Sequence, residues 1–359
     1  MTSTNEPAPV AAGPAEVCLA CDNLAEALAF FTGVLGFRIE AIFPADEPSV
    51  ASLSGHGLRL RLAPGSGGPG ALRLPCRNLP PADLRVLTAP NGTRIEWVAT
   101  EAPLEIPPLT PEFVLTRAGQ GPGAGVGRAG MIYRDLIPGR QGGRFIASHI
   151  AIPDGGPVAD WVHFHEVRFQ MIFCRRGWVR LVYEDQGPPF VLAAGDCVLQ
   201  PPRIRHRVLE SSPGLEVVEF GCPAIHETLA DHDMELPTGR LAPDRVFGGQ
   251  VFLRHVAAET PWIAEPGTGF RRRDTGMRAA THGLADAVVL APGEAHEMSA
   301  APQDAELLFG FVLEGAAVLR RAGQDHPLGP ADAFVIPPGE LWGLAEASDD
   351  LALLRVSVG

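Results

Sequence analysis

Two stretches of the chain, about 140 residues apart, carry the same order of signals, and this repeat limits the fold more than any other feature. Gly195-Asp196-Cys197-Val198-Leu199-Gln200-Pro201-Pro202 is matched by Ala331-Asp332-Ala333-Phe334-Val335-Ile336-Pro337-Pro338, and Gly177, before one apolar run, has a counterpart in Gly315. From Gly130 onward helical periodicity nearly vanishes and short apolar runs alternate with turns. That pattern predicts a β-sandwich or barrel, built twice in tandem.

The region before the repeat reads differently. Val17-Cys18-Leu19-Ala20 suits a strand, Asp22 or Asn23 a helix cap, and Leu24, Leu28, Phe31 and Leu35 recur at helical spacing up to Gly36. Strands are predicted over 38–42, 49–53 and 58–62, and again over 84–87 and 93–98 around the turn Pro90-Asn91-Gly92. Between Glu101 and Arg128 the prolines and glycines predict a linker that sustains neither ladder nor helix. The resulting division is a disordered tail over 1–13, a small α/β domain over 14–103, a linker over 104–129, and β-domains over 130–238 and 239–359.

Composition narrows the function classes. A formal charge of −13 disfavours nucleic acid as a partner. All 29 basic residues are arginine, which excludes Schiff-base chemistry and a phosphate-binding Walker lysine. No apolar run approaches the ~20 residues that cross a bilayer, and the first residues lack a leader pattern, so a cytoplasmic protein without a membrane partner is expected. The six scattered cysteines, Cys18 and Cys21 among them, are expected to be reduced and structural.

The candidate site is His163-Phe164-His165. Alternate side chains of a strand share a face, so both imidazoles point one way. His206 follows about forty residues later, where an antiparallel neighbour can carry it back beside the pair. Three imidazoles suit iron(II), zinc, manganese, nickel or copper. The repeat offers no second set: the matching positions hold Ala301, Gln303, Leu308 and Trp342, and His296 and Glu297 come too early. Another cluster, His226, Glu227, His232 and Asp233, is expected in a solvated connecting loop.

These motifs resemble the cupin superfamily, and their tandem resembles a bicupin from about residue 130 to 359. The first motif reads Gly156, His163, His165, Gln170 and Gly177; the second reads Gly195, Pro201, Arg203 where glycine is usual, and His206. The resemblance implies one divalent metal, iron(II) foremost, held by His163, His165 and His206. Gln170, where an acid is usual, would be a weak fourth ligand or a hydrogen-bond donor, and the more positive centre would favour an anionic chelator.

Bicupins with one active three-histidine site include gentisate and salicylate dioxygenases. The resemblance thus implies an iron(II) dioxygenase acting on a small anionic aromatic or β-dicarbonyl compound, with Arg168 and Arg205 as forks for a carboxylate. Two alternatives stand beside it. One is a redox-neutral isomerase or lyase with Tyr183 or His149 as general acid or base, and the other is a non-enzymatic small-molecule-binding protein.

Residues 22–31, 34–37 and 91–96 resemble the glyoxalase-like vicinal oxygen chelate superfamily, over about ninety residues. A βαβββ fold is implied; Glu96 matches that family's glutamate ligand, whereas Ala15 stands where a histidine is expected. This implies a domain without metal, used for packing, dimerisation or roofing. The whole is then a mostly β protein, a bicupin preceded by a small α/β domain, and the resemblances imply a homo-oligomer, a dimer.

Overall fold

The computed structural model describes residues 14–21, 23–33, 36–55, 57–65, 71–88, 94–99, 103–119, 125–126 and 131–359. The expected tail, Asp22 and the turn at Pro90-Asn91-Gly92 lie outside these residues. The chain forms two compact units, residues 1–104 with 227–230, and residues 105–226 with 231–359.

In the first unit, strand Glu16–Ala20 leads into helix Leu24–Gly33 and then strands Arg38–Phe43, Val50–Gly55 and Leu58–Ala63. Asn23 caps the helix: its Oδ1 accepts from the Glu26 amide at 3.2 Å, and its Nδ2 donates to Glu26 Oε2 at 3.2 Å. The exit turns at Gly36, whose φ of 74° is left-handed, and the Phe37 amide reaches back to the Phe31 carbonyl at 2.9 Å. Glu16–Ala20 lies parallel to Leu58–Ala63, where Leu60 and Leu62 are buried on one face. Glu96 is ion-paired with Arg73 at 3.4 Å. The segment expected as a loop around His226 departs from expectation, because Thr228–Ala230 is a strand that pairs with Arg38–Phe43. Three residues are too few for alternation to mark a strand in sequence.

The second unit holds two β-barrels of one plan, so the mostly β expectation is met. In the first barrel, Phe169–Arg176 lies between Cys197–Leu199 and Leu215–Cys222, while another sheet sets Trp178–Tyr183 beside His206–Ser211, itself paired with His163–His165. In the second, Leu307–Glu314 lies between Ala333–Ile336 and Ala352–Val358, and Ala317–Arg321 and Met298–Pro302 flank Leu341–Ala345.

Strand alternation divides the residues between two kinds of core. Phe169, Met171 and Phe173 share one cluster with Leu307, Phe309 and Phe311, so the large sheets of the two barrels pack on each other. Residues of the opposite parity face each barrel's interior. Leu308, Val312, Phe334 and Trp342 fill that of the second barrel. Burying each such side chain stabilises by about 1.5–3 kcal/mol.

The barrels also exchange arms. Val114–Thr116, which precedes the first barrel, pairs with Ala333–Ile336 of the second (Ala333 opposite Thr116). Leu253–His255, which precedes the second, pairs with Cys197–Leu199 of the first (Cys197 opposite His255). The first pairing corrects the expectation that the stretch 104–129 sustains no ladder. No proline falls between Pro111 and Pro122, and the glycine cluster begins at Gly119, so Phe113 to Arg117 keep every amide needed for pairing. The second carries residues beyond 239 into the sheet of the preceding barrel. Each arm covers an edge that would otherwise offer unpaired amides and carbonyls.

Candidate metal centre

His163 and His206 face each other in the antiparallel ladder, and His165 returns to the same face two residues on. The candidate ligand atoms of the three lie within 4.8 Å of one another, and all three residues are buried. His163 Nδ1 donates to the Trp161 carbonyl at 2.8 Å, and His206 Nδ1 to the Ile204 carbonyl at 3.0 Å. Those bonds fix the tautomer and turn each Nε2 lone pair away from the backbone, which is how a ligating imidazole is oriented. Three neutral nitrogen donors in a buried pocket fit a first-row divalent metal.

Behind the histidines runs a chain of amides. Gln200 Nε2 is 3.0 Å from His206 Nε2 and 3.4 Å from Gln170 Oε1, and its Oε1 accepts from Tyr183 Oη at 3.1 Å. Gln170 Nε2 in turn donates to Glu219 Oε1 at 2.5 Å. The carboxylate that the position of Gln170 lacks is thus supplied by the neighbouring strand Leu215–Cys222. Glu219 and Gln200 both line the site and neither was anticipated. The usable signals were an acid at the parity of Leu215 and Val217, and a glutamine directly before the Pro201-Pro202 turn.

The loop that leads into His206 is pinned. Arg203, where glycine is usual, has a φ of 65°, and its amide donates to the His165 carbonyl at 2.9 Å. The second barrel makes the same bond from Gly339 to Gln303 at 2.8 Å.

The three histidines, Gln170, Gln200 and Glu219 open on a cavity of about 660 Å³, mouth included. Its other walls are mainly aliphatic, with Ile150, Ile172, Val179, Leu181 and Val217 among them, and Tyr133 adds an aromatic face.

Arg168 and Arg205 are not brought into this cavity. Both Arg168 terminal nitrogens bind Glu306, at 3.0 and 3.3 Å, tying the two barrels together. The strand begins only at Phe169, so alternation does not carry Arg168 to the face of Gln170. Arg205 binds Asp231 at 3.0 Å and stacks over Phe164 at 4.1 Å. Tyr183 is 1% exposed, stacked on His206, and does not line the cavity. Burial pushes its phenol far above the usual range, which suits a fixed hydrogen-bond donor better than a proton carrier. His149 lies apart, bonded to Glu216 at 2.9 Å, and burial followed by the nearby Arg134 lowers its pKa. His226, by contrast, stands edge-on to His165 with ring centres 5.3 Å apart.

The second barrel gives a control for this geometry. Ala301 is opposite Trp342 in its ladder as His163 is opposite His206. Leu308 and Ile336 are paired where the first barrel sets Gln170 and Gln200 side by side, and Arg355 occupies the position of Glu219. Every polar side chain of the site is replaced, and the space is filled with Phe334 and Trp342.

No family model matches the sequence, and no curated protein does. Among solved structures, salicylate 1,2-dioxygenase from Pseudoaminobacter salicylatoxidans in its gentisate adducts is similar at 16% identity, with a TM-score of 0.50 over 70% of this chain and 82% of that one. A putative glyoxylate-induced protein from Pseudomonas aeruginosa gives 11% identity and a TM-score of 0.49 over 72% and 93%. An oxalate decarboxylase variant from Bacillus subtilis gives 11% and 0.46 over 64% and 72%. The first likeness establishes the fold class, a tandem cupin. Among its described residues this chain is a double barrel with one three-histidine cluster and one barrel filled by apolar side chains.

Proposed function

We propose that the protein is a metal-dependent cupin dioxygenase, with iron(II) held by His163, His165 and His206, acting on a small chelating aromatic or β-dicarbonyl compound. The observation that carries this reading is the buried three-histidine cluster with two Nδ1 atoms committed to backbone carbonyls, opening on an apolar cavity. Iron(II) would supply a Lewis acid for a chelating pair of oxygens and one-electron chemistry towards dioxygen. The aliphatic walls exclude water and pack on the body of the substrate. Gln170 and Gln200 hold the polar side of the cavity in one arrangement.

Glu219 favours a second reading, a redox-neutral proton transfer beside a carbonyl, because its carboxylate lines the same cavity. Oxygen uptake by anaerobically purified, iron-loaded protein over a panel of diketones and phenolic acids separates the two. Stoichiometric uptake with ring or carbon–carbon cleavage supports the dioxygenase, and equal turnover without oxygen removes it.

The remaining assignments belong to the same proposal. The first unit is read as a glyoxalase-like module without metal, supported by its first strand running parallel to its fourth and by the pairing of Glu96 with Arg73. A homodimer in the cytoplasm is proposed, with a small molecule as partner and neither nucleic acid nor membrane. Among the described residues no helix is long and apolar enough to cross a membrane. Light scattering of the purified chain tests the dimer.

A further inference from the structure

We infer that Glu219 sets the charge of the substrate: the cavity selects a chelator with no carboxylate of its own, such as a hydroxy-ketone or 1,3-dicarbonyl, over an aromatic carboxylic acid. This rests on the metal-centre reading above and narrows its substrate class.

The argument is one of charge placement. A carboxylate that gives one oxygen to the metal keeps a second, and in an apolar cavity the partner that suits it is a cation that forks onto it. The chain contains no lysine, so that cation would have to be arginine. Among the described residues no arginine lines the cavity. Arg168 and Arg205, the nearest along the sequence, are committed to Glu306 and Asp231. Among the described residues, the one charged side chain that lines the cavity beside the histidines is the acid Glu219, fixed by the Gln170 amide at 2.5 Å.

A ligand such as salicylate chelates through its hydroxyl and one carboxylate oxygen, and its second carboxylate oxygen, with the extra negative charge, would enter the same low-dielectric space as Glu219. Like charges within several ångströms in such a space repel strongly. A hydroxy-ketone of equal size presents the same chelating oxygens with one negative charge fewer.

A matched pair of probes tests it. Zinc-loaded protein, which is inert to oxygen, is titrated with 2-hydroxyacetophenone and with salicylate in the wild type, in Glu219→Gln and in Glu219→Ser, with zinc content and thermal unfolding recorded for each sample. The expected wild-type preference for the ketone is at least tenfold, and both variants should lose at least tenfold of it through tighter salicylate binding at unchanged zinc content. Wild-type protein that binds salicylate as tightly as the ketone overturns the inference, as does a preference unchanged in a folded variant. Wild-type protein that takes up no stoichiometric zinc overturns the metal-centre reading instead, and this inference with it.

Discussion

The side-chain amide nitrogen of Gln200 lies 3.0 Å from Nε2 of His206, so a carboxamide of the protein engages the lone pair by which that histidine would bind metal. Metal binding must exchange this hydrogen bond, whose net worth is about 0.5–1.5 kcal/mol. Gln200→Leu is therefore expected to raise zinc affinity about two- to tenfold in a chelator competition. The same change strips Tyr183 Oη of its acceptor and should cost about 1–3 kcal/mol of stability, recovered when Tyr183→Phe is added. An unchanged affinity in the folded double variant would show that the bond does not compete.

His163→Ala, His165→Ala and His206→Ala should each abolish stoichiometric metal, measured by elemental analysis after dialysis. His226→Ala should retain it, although its ring lies 5.3 Å from that of His165. Full metal content in His206→Ala would move the site to the His226 region.

Arg168 was expected as a substrate clamp and instead joins the barrels through Glu306. Burial alone would raise the pKa of Glu306, but the hydrogen bonds from Arg168 and Arg144 outweigh it and hold the carboxyl below its ordinary range. Arg168→Ala should destabilise the protein by about 1–3 kcal/mol through loss of charge-assisted bonds. Affinity for 2-hydroxyacetophenone should stay within twofold, and a larger loss would return Arg168 to the binding site.

The histidine cluster was legible because alternation and a forty-residue return suffice to bring three imidazoles together, and the repeat placed Ala301, Leu308 and Trp342 at the matching positions of the second barrel. Glu219 was not legible for a physical reason. Its strand is buried on both faces, Val217 towards the barrel and Val218 towards the shared core, so hydrophobic pattern alone does not say which parity faces the ligand. Arg168 was misplaced because parity was extended past the end of its strand. The two arms were missed because three-residue strands leave no period to read.

Gly310 tests the packing of the silent barrel. A Cβ there would lie 2.2 Å from Cζ of Phe334, with no unusual backbone angle involved. Gly310→Ala should cost about 1–3 kcal/mol by overpacking, read from the denaturant midpoint. Phe334→Leu in the same chain should return part of that loss; an unaltered midpoint in Gly310→Ala would mean the barrel is loosely filled.

Both ends of the pH range should destabilise the fold by separate groups. The lowered pKa values of His149 and His255 mean that the unfolded chain binds more protons below about pH 6.5. Their contribution is present above that pH and lost as pH falls, so His149→Gln should flatten the acid limb of Tm against pH. At the alkaline end burial pushes the thiols of Cys174 to about 12 and Cys222 to about 11, and raises Tyr183 and Cys197 further. Stability from these groups is present below their unfolded values and declines above about pH 9, by up to about 1.4 kcal/mol per pH unit for each group. Tyr183→Phe should reduce the slope above pH 10.

The crossed arms bear on the order in which the chain can fold as it is made. The sheet of the first barrel receives its edge strand only when Leu253–His255 has been synthesised, well after the three clustered histidines exist. The edge strand of the second barrel, Val114–Thr116, is made early and waits for Ala333–Ile336, close to the end of the chain. Each barrel's sheet therefore takes an edge strand from outside its own run of strands, the first from the segment that follows it and the second from the segment that precedes the first.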